Sequence, residues 1–305
     1  MKKAFLTLLI AVCVASCGGG GGGSPAPVPT RVPTPVPTPA PVRQKVGDIF
    51  SDPAQLGGSE IKSDVGYSGI AAVSRAIAAS GRSNILDMLF TTYGAGPEDK
   101  LQGKVASNLD QIIQDYVKQN SALLVPGIRV VVEDEVFWNP PSNSDDPVVL
   151  QRQLDALATV VAAVRKIIPQ AQIGITITPY AIFDRPNTLA FAKRAMALVD
   201  WVGTDPYWYG DSSRITALHA WSKSFVATAK AANPRIETWY IAQAFRLPSY
   251  DLATYRSYIT EDLTYAAGYD GVLFYGWNVA FESADVIIGA QFDADTKRLY
   301  QTYLK

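Results

Sequence analysis

Arg129-Val-Val-Val-Glu-Asp-Glu-Val-Phe-Trp138 is the stretch that decides the fold of this 305-residue chain. It begins as an apolar run of strand length and ends with acids and large aromatic residues. Residues 201–209, 238–245 and 271–277 follow the same plan, an apolar run that ends in polar and aromatic side chains. Short apolar runs bounded by polar residues are typical of buried β-strands, so we predict a strand in each segment.

Amphipathic helices are predicted between these strands. In the clearest one, Asp145 or Asp146 can cap the helix and Pro147 fits its first turn. Its apolar stripe has helical spacing and consists of Leu150, Leu154, Leu157, Val161, Val164 and Ile168. Strands and helices alternate over residues 45–305, a segment long enough for one large domain. The alternation predicts an α/β fold, a (β/α)8 TIM-type barrel, over residues 45–305.

The N-terminal side of this barrel is the least marked in the sequence. Ahead of Ile85 a single strand candidate is visible, near residues 46–50, whereas a complete barrel needs two strands there. A barrel that is distorted or incomplete on this side is therefore an alternative. A doubly wound parallel sheet is the other alternative.

Residues 1–16 have the form of an export signal. Lys2 and Lys3 precede an apolar stretch from Ala4 to Val14, and small residues then lead to Cys17. The segment resembles a bacterial lipoprotein signal peptide. That resemblance implies a lipid on Cys17, which would attach the protein to a membrane of the bacterial cell envelope. Gly18 after the cysteine favours the outer membrane, and an ordinary secretory signal cut near Cys17 is the alternative.

Residues 17–44 are predicted to be a tether. A glycine run is followed by repeated Pro-Val-Pro-Thr-like units. Glycine runs are flexible and proline repeats favour the extended polyproline II conformation, so this segment cannot bury a core. It would hold the folded domain at a distance from the membrane.

Composition excludes several kinds of chemistry. The two cysteines are Cys13, inside the signal, and Cys17, and the one histidine is His219. A thiol nucleophile and a thiolate metal site therefore lack their residues, and a Ser-His-Asp triad or a multi-histidine metal centre has little to be built from, so we expect no metal and no cofactor. The net charge of −1, from 27 basic and 28 acidic residues, offers no attraction for nucleic acid. Carboxylate chemistry is what remains.

The acids at the end of the first quoted stretch are candidate catalytic groups, because the carboxyl ends of barrel strands face one crevice. Strand alternation places Glu133 and Glu135 on one face and Asp134 on the other. If the glutamates face the barrel mouth, burial and the like-charged neighbour would raise the pKa of one of them, which suits a general acid or base. The alternative is a solvated strand end that pairs with arginines such as Arg129.

The segment 201–209 combines a carboxylate, Asp205, with a Pro-Tyr-Trp-Tyr run. Aromatic rings stack on the CH faces of sugars and carboxylates bind their hydroxyls, so this composition indicates a carbohydrate-binding groove. Ordinary core packing after a proline turn is the alternative. The candidate substrate-binding residues are Trp138, Tyr180, Tyr207, Trp208, Trp277 and Asn278.

The chain resembles the clan A glycoside hydrolases over about its last 180 residues. These are (β/α)8 enzymes with catalytic carboxylates at the ends of strands four and seven. Counted from the C-terminus, residues 272–277, 238–245, 201–207, 173–180 and 130–138 would be strands eight to four. Val199-Asp-Trp-Val-Gly-Thr-Asp-Pro-Tyr207 is similar to the clan's sixth strand. The resemblance implies acid/base cleavage of an oligo- or polysaccharide.

Two positions depart from the clan. Asp134 replaces the asparagine that usually precedes the strand-four glutamate, so Glu133 competes with Glu135 for that role. Gln243 stands where the resemblance places the strand-seven nucleophile, and its amide would hydrogen-bond substrate instead. The second carboxylate would then be Asp205, or Glu282 after strand eight, with inversion if the two carboxyl groups are about 6.5–9.5 Å apart.

The sequence thus predicts an O-glycosyl hydrolase outside the cytoplasm, with Glu135 or Glu133 as proton donor and Asp205 as the second carboxylate. A carbohydrate-binding lipoprotein that kept the barrel and lost the nucleophile is one alternative. A structural or assembly lipoprotein, whose aromatic barrel mouth meets a protein partner, is the other.

Overall fold

The computed structural model describes residues 43–88, 103–138, 144–278 and 285–305. The predicted signal peptide, Cys17, nearly all of the tether and Glu282 lie outside the described residues. Val42–Lys305 forms one compact unit.

Eight parallel strands close into a barrel. They are β1 Lys45–Ile49, β2 Val65–Ser68, β3 Ser83–Asp87, β4 Arg129–Glu133, β5 Gln172–Thr176, β6 Trp201–Thr204, β7 Glu237–Gln243 and β9 Gly271–Tyr275. Two short strands outside the barrel, β8 Phe245–Arg246 and β10 Ile287–Ile288, pair antiparallel. Strand β1 pairs with both β2 and β9, which closes the ring. The predicted (β/α)8 barrel is confirmed, and the doubly wound sheet is wrong.

Strand β2 is the one that the sequence did not show. Its residues, Val-Gly-Tyr-Ser, include a single aliphatic side chain and so form no apolar run. A Cβ on Gly66 would lie 2.7 Å from the side chain of Ile77, so the glycine lets the following helix pack closely on the strand. With β2 in place, the barrel is complete on its N-terminal side.

Helices alternate with the strands. They are α1 Gln55–Gly58, α2 Ala71–Ala79, α3 Leu109–Asn120, α4 Pro147–Ile167, α5 Pro186–Met196, α6 Ile215–Ala232, α7 Leu252–Ala266 and α8 Ala294–Leu299. Asp146 caps α4 as predicted, its Oδ1 accepting from Val148 N at 2.9 Å. By length and composition α4 could cross a membrane, but it packs against α3 and α5 and buries its apolar stripe as a barrel helix does.

The barrel interior is filled from its amino-terminal end. Trp201 lies across Gly174, where a Cβ would come within 1.9 Å of the indole ring. At the first residues of three strands, Arg129 Nη2 lies 2.9 Å from Glu237 Oε2, and Lys45 Nζ lies 2.6 Å from Glu237 Oε1. Arg129 therefore pairs with Glu237 and does not neutralise the acids at the other end of β4. Space remains at the carboxyl ends of the strands.

Candidate active site

A cavity of about 410 Å³ lies at the carboxyl ends of the barrel strands. Its volume is within the range of sites that bind small molecules. Four polar residues line it, and they come from the ends of three strands: Asp134, Glu135, Thr176 and Asp205. Four tyrosines also line it, Tyr67, Tyr207, Tyr209 and Tyr275, and the other lining residues are apolar. The structure therefore brings acids and aromatic rings together where the sequence predicted a site.

The acids after β4 are held by a tight turn. The register of β4 with β5 shifts between Val131 and Glu133, and Glu135 has a left-handed backbone with φ 48°. Such a conformation costs a non-glycine residue about 1–3 kcal/mol and is common at functional sites. Thr176, the last residue of β5, stabilises the turn, because its Oγ1 accepts from Glu135 N at 2.7 Å and donates to Asp134 Oδ1.

This turn corrects the predicted alternation of the three acids. Asp134 and Glu135 both line the cavity, although a straight strand would place them on opposite faces. Glu133 is buried at 4 % exposure and, among the described residues, is not part of the cavity lining. Period-two alternation fails here because β4 ends at Glu133 and the backbone then turns. Of the two candidate glutamates, the structure brings Glu135 to the cavity.

Asp205 follows β6 and pairs with Glu135 across the cavity. The Glu135 side chain hydrogen-bonds the Asp205 carboxyl, which is 5 % exposed. Burial raises the pKa of Asp205 well above its usual value, and the charges of Glu135 and Asp134 raise it further. A hydrogen bond between two carboxyl groups requires a proton on one of them, so the pair holds one proton while this contact lasts.

An aromatic wall runs from the cavity to the rim of the barrel. Tyr207 stacks on Tyr275, with ring centroids 5.6 Å apart and an interplanar angle of 22°. Tyr209, which is 54 % exposed, lies edge-on to Tyr207 at 6.3 Å and tilted against Tyr180 at 5.6 Å. Trp138 lies 6.0 Å from Tyr180 and extends the wall outwards. Of the predicted aromatic contacts, Tyr207 lines the cavity, and Tyr180 and Trp138 stand beside it.

Gln243, the last residue of β7, is bonded to the backbone. Its Oε1 accepts from Trp208 N at 2.7 Å, and its Nε2 donates to Trp208 O at 3.2 Å and to Phe245 O at 3.0 Å. The side chain is 1 % exposed. Its amide is thus occupied by backbone groups, and Gln243 is not among the described residues that line the cavity. Instead Gln243 fixes the segment that carries Asp205.

Trp208 and Trp277 are core residues and not part of the cavity wall. Trp208 is 1 % exposed and packs on Tyr250 at 5.2 Å between centroids. Trp277 is fully buried and packs on Tyr300 at 5.2 Å. Gly276, with φ +89°, turns the chain after β9 and directs Trp277 into the layer between barrel and helices. The structure therefore corrects the prediction that these two tryptophans line sugar subsites.

Asn278 also points away from the cavity. Its Nδ2 donates to Asp48 Oδ2 at 2.7 Å, and Ser59 Oγ donates to the same oxygen at 2.9 Å. Burial raises the pKa of Asp48 to about 7, and these two hydrogen bonds oppose the shift. Asn278 therefore ties the chain after β9 to β1, which is a structural task.

Several cavity residues were missed by the sequence analysis. Thr176 and Tyr275 are the last residues of their strands, and Tyr67 is the third of four in β2. The position of Thr176 and Tyr275 at the ends of their strands could therefore have been used to predict them as site residues. Among the described residues, no group of three or more acids, histidines or cysteines is placed to hold a metal ion.

Comparisons with known proteins identify the class of fold. No family model matches the chain, and no curated protein matches its sequence. A GH5_18 protein from Streptomyces cattleya, solved in complex with Manb1-4GlcNAc, is similar at 15% identity and TM-score 0.54, covering 76% of this chain and 71% of its own. The intracellular xylanase TsXylA from Thermoanaerobacterium saccharolyticum is similar at 11% identity and TM-score 0.52, covering 80% and 90%.

Bacteroides uniformis beta-glucuronidase 2 is similar at 11% identity and TM-score 0.53, covering 78% of this chain and 30% of its own. The present chain thus spans about a third of that larger protein. At these identities the likeness shows the fold alone. The chain has the (β/α)8 barrel fold of glycoside hydrolases, as the resemblance to clan A predicted.

Proposed function

We propose that this protein is a glycosidase that acts on an oligo- or polysaccharide outside the cytoplasm. The observation that carries the proposal is the hydrogen-bonded pair of Glu135 and Asp205 in an aromatic cavity at the carboxyl ends of the barrel strands. Glycoside hydrolysis runs on two carboxyl groups, one of which must hold a proton. The fold shared with glycoside hydrolases supports the same conclusion.

The two carboxyl groups differ in exposure, which suggests their roles. Glu135 is half-buried and Asp205 is buried, so Glu135 is the one more accessible to a sugar. Glu135 is proposed to donate the pair's proton to the glycosidic oxygen while the bond to the anomeric carbon breaks. Once the proton has left, Glu135 and Asp205 are both carboxylates, and the positive oxocarbenium centre beside them offsets their mutual repulsion. Water then adds to the anomeric carbon and returns a proton to the pair.

Hydrolysis of a broad glycan panel by a soluble domain from residue 45 onward tests this proposal. Glu135→Gln and Asp205→Asn should each lower kcat at least about a hundredfold, the usual contribution of a general acid or base. Asp64→Asn is the matched control, because Asp64 precedes β2 at the opposite end of the barrel. Full activity in Glu135→Gln would overturn the assignment.

A carbohydrate-binding protein without hydrolysis is the second candidate. It is favoured by Gln243, which puts an amide bonded to the backbone at the end of β7 instead of a carboxylate. Glycan binding without turnover, measured by calorimetry on the same panel, would select this candidate over the glycosidase.

Lipid attachment at Cys17 and a place in the outer membrane are part of the proposal. The basic start, the apolar stretch and the small residues before Cys17 support it. Metabolic labelling with a fatty acid and membrane fractionation test it. The label should be lost in Cys17→Ala, and label retained in that variant would contradict the lipid assignment.

A further inference from the structure

Three consecutive carbonyl oxygens after Asp205 are each held by a side chain. The donors come from three elements: Tyr258 of α7 to Pro206 O, Tyr180 after β5 to Tyr207 O, and Gln243 of β7 to Trp208 O. Residues 206–208 are buried, so each of these carbonyls needs its donor. Pro206 directly follows Asp205, and Tyr258 therefore helps to set where the Asp205 carboxyl lies.

Tyr258 has a second partner, Asp262, one turn later on α7. The Tyr258 hydroxyl also hydrogen-bonds the Asp262 carboxyl, and Asp262 Oδ1 accepts from Tyr240 Oη of β7. Asp262 and Tyr258 are each 1 % exposed, and neither is among the described residues that line the cavity. A buried chain of hydrogen bonds therefore leads from Asp262 through Tyr258 to Pro206, the neighbour of Asp205.

A count of hydrogen atoms places a proton on Asp262. The Tyr258 hydroxyl has one hydrogen, and the carbonyl oxygen of Pro206 can only accept. While that hydrogen is donated to Pro206, the contact between Tyr258 and Asp262 needs a second hydrogen, which a protonated Asp262 supplies. An ionised Asp262 would instead compete for the single hydrogen of Tyr258, because hydrogen bonds to a charged acceptor are stronger. Pro206 O would then lose its donor.

The surroundings of Asp262 favour its protonated form. Burial raises the pKa of Asp262 to about 7, the hydrogen bonds from Tyr240 and Tyr258 oppose the shift, and the charge of Glu261 adds to it. Burial lowers the pKa of His219, which stacks on Tyr258 from α6, so the imidazole is largely neutral at pH 7. Further titratable groups around Asp262 are tyrosines with raised pKa values: Tyr255 and Tyr265 on α7, Tyr269 after it, and Tyr300. Asp262 therefore loses its proton near neutral pH, where these tyrosines keep theirs.

We propose that Asp262 is a positioning residue that, in its protonated form, holds Asp205 in place through Tyr258 and Pro206. Its ionisation releases this anchor, which gives the site a pH dependence separate from the protonation of Glu135 and Asp205 themselves. The effect on turnover rests on the proposed glycosidase function, whereas the link from Asp262 to residues 205–208 rests on the hydrogen bonds alone.

Amide hydrogen exchange followed by mass spectrometry tests the link without a substrate. Tyr207 N donates to Asp205 O and Trp208 N donates to Gln243 Oε1, so this segment has two protected amides. After correction for the intrinsic effect of pH on exchange, their protection in the wild type should fall about fivefold from pH 6 to pH 8, as expected for the loss of one hydrogen bond. Asp262→Asn should show no such fall, because its amide can donate to the Tyr258 hydroxyl and accept from Tyr240 at both pH values.

Two tyrosine variants complete the exchange experiment. Tyr258→Phe should have the lowered protection at both pH values. Tyr269→Phe is the matched control, because it also removes a buried hydroxyl, one that donates to Ser222 O at 2.8 Å, and it should behave as the wild type does. Protection is expressed relative to the amides of β3, so that a general loss of stability cancels. Equal pH dependence in the wild type and Asp262→Asn, or wild-type protection in Tyr258→Phe, would overturn the link.

Turnover is then measured on a substrate identified with the glycan panel. The ratio of wild-type kcat to that of Asp262→Asn should fall about fivefold from pH 6 to pH 8, because the wild type alone loses one hydrogen bond. Glu135 and Asp205 titrate in both proteins, so this ratio reports Asp262. A constant ratio would overturn the effect on catalysis while the glycosidase function stands. Absence of hydrolysis for every glycan would overturn that function and with it the effect on turnover, and the exchange experiment would still decide the link.

Discussion

Replacement of Gln243 by glutamate would introduce a carboxyl group at the position where clan A enzymes carry their nucleophile. The structure predicts that this change disrupts the fold locally and creates no nucleophile. Gln243 is 1 % exposed, and its amide nitrogen donates to the carbonyl oxygens of Trp208 and Phe245. A carboxylate keeps the acceptor for Trp208 N but places an oxygen against both carbonyls.

The magnitude follows from these contacts. Each buried group left without a partner costs about 1–3 kcal/mol, so two carbonyls suggest that the free energy of unfolding falls by about 3 kcal/mol. For a domain of this size each 1 kcal/mol lowers Tm by roughly 2–4 °C. Burial should raise the pKa of the introduced carboxyl above its unfolded value of about 4.3, so stability should fall further as the pH rises above that value.

Urea unfolding of the Gln243→Glu variant, followed by tryptophan fluorescence, measures both effects near pH 4 and near neutral pH. Gln243→Met is the control, since it removes all three hydrogen bonds without a titrating group and should be equally destabilised at both pH values. Wild-type stability of Gln243→Glu at neutral pH, or a gain of glycosidase activity, would refute the structural role of Gln243.

Three further predictions concern the surroundings of the site. Thr176→Val should lower kcat about tenfold and stability by about 1–3 kcal/mol, because the turn after β4 loses its hydrogen bonds, and kinetics with urea unfolding will show both. Trp208→Ala should cost about 3–5 kcal/mol of stability as a core truncation, whereas Tyr209→Ala, at an exposed ring, should weaken glycan binding in calorimetry and leave Tm nearly unchanged. Asp48→Asn should gain stability relative to wild type as the pH rises. The folded pKa of Asp48 is raised from 3.8 to about 7, so the stabilising contribution of the wild-type carboxyl is complete at low pH and is lost towards pH 7. Urea unfolding should show a change of up to about 4 kcal/mol in the difference between variant and wild type.

The sequence located the later strands well because their chemistry is local. Strands β4 to β7 and β9 are apolar runs that end in polar residues, and their order fixes which strand ends share the crevice. Strand β2 was not predicted because a short strand with a glycine, a tyrosine and a serine has no such pattern. It forms because β1 and β3 supply backbone partners on both sides, which is a tertiary effect.

By itself the sequence determined that residues 45–305 carry barrel strands, that thiol and histidine chemistry has little to be built from, and that acids and aromatics collect at strand ends. The tertiary structure decided which of these meet. Glu135 and Asp205, 70 residues apart, form one pair, whereas Gln243 and Trp277 turn away from the cavity. The direction of a side chain at a strand end depends on the backbone turn that follows, as the left-handed Glu135 and Gly276 show. Such turns are set by contacts with neighbouring strands, which periodicity in one segment does not contain.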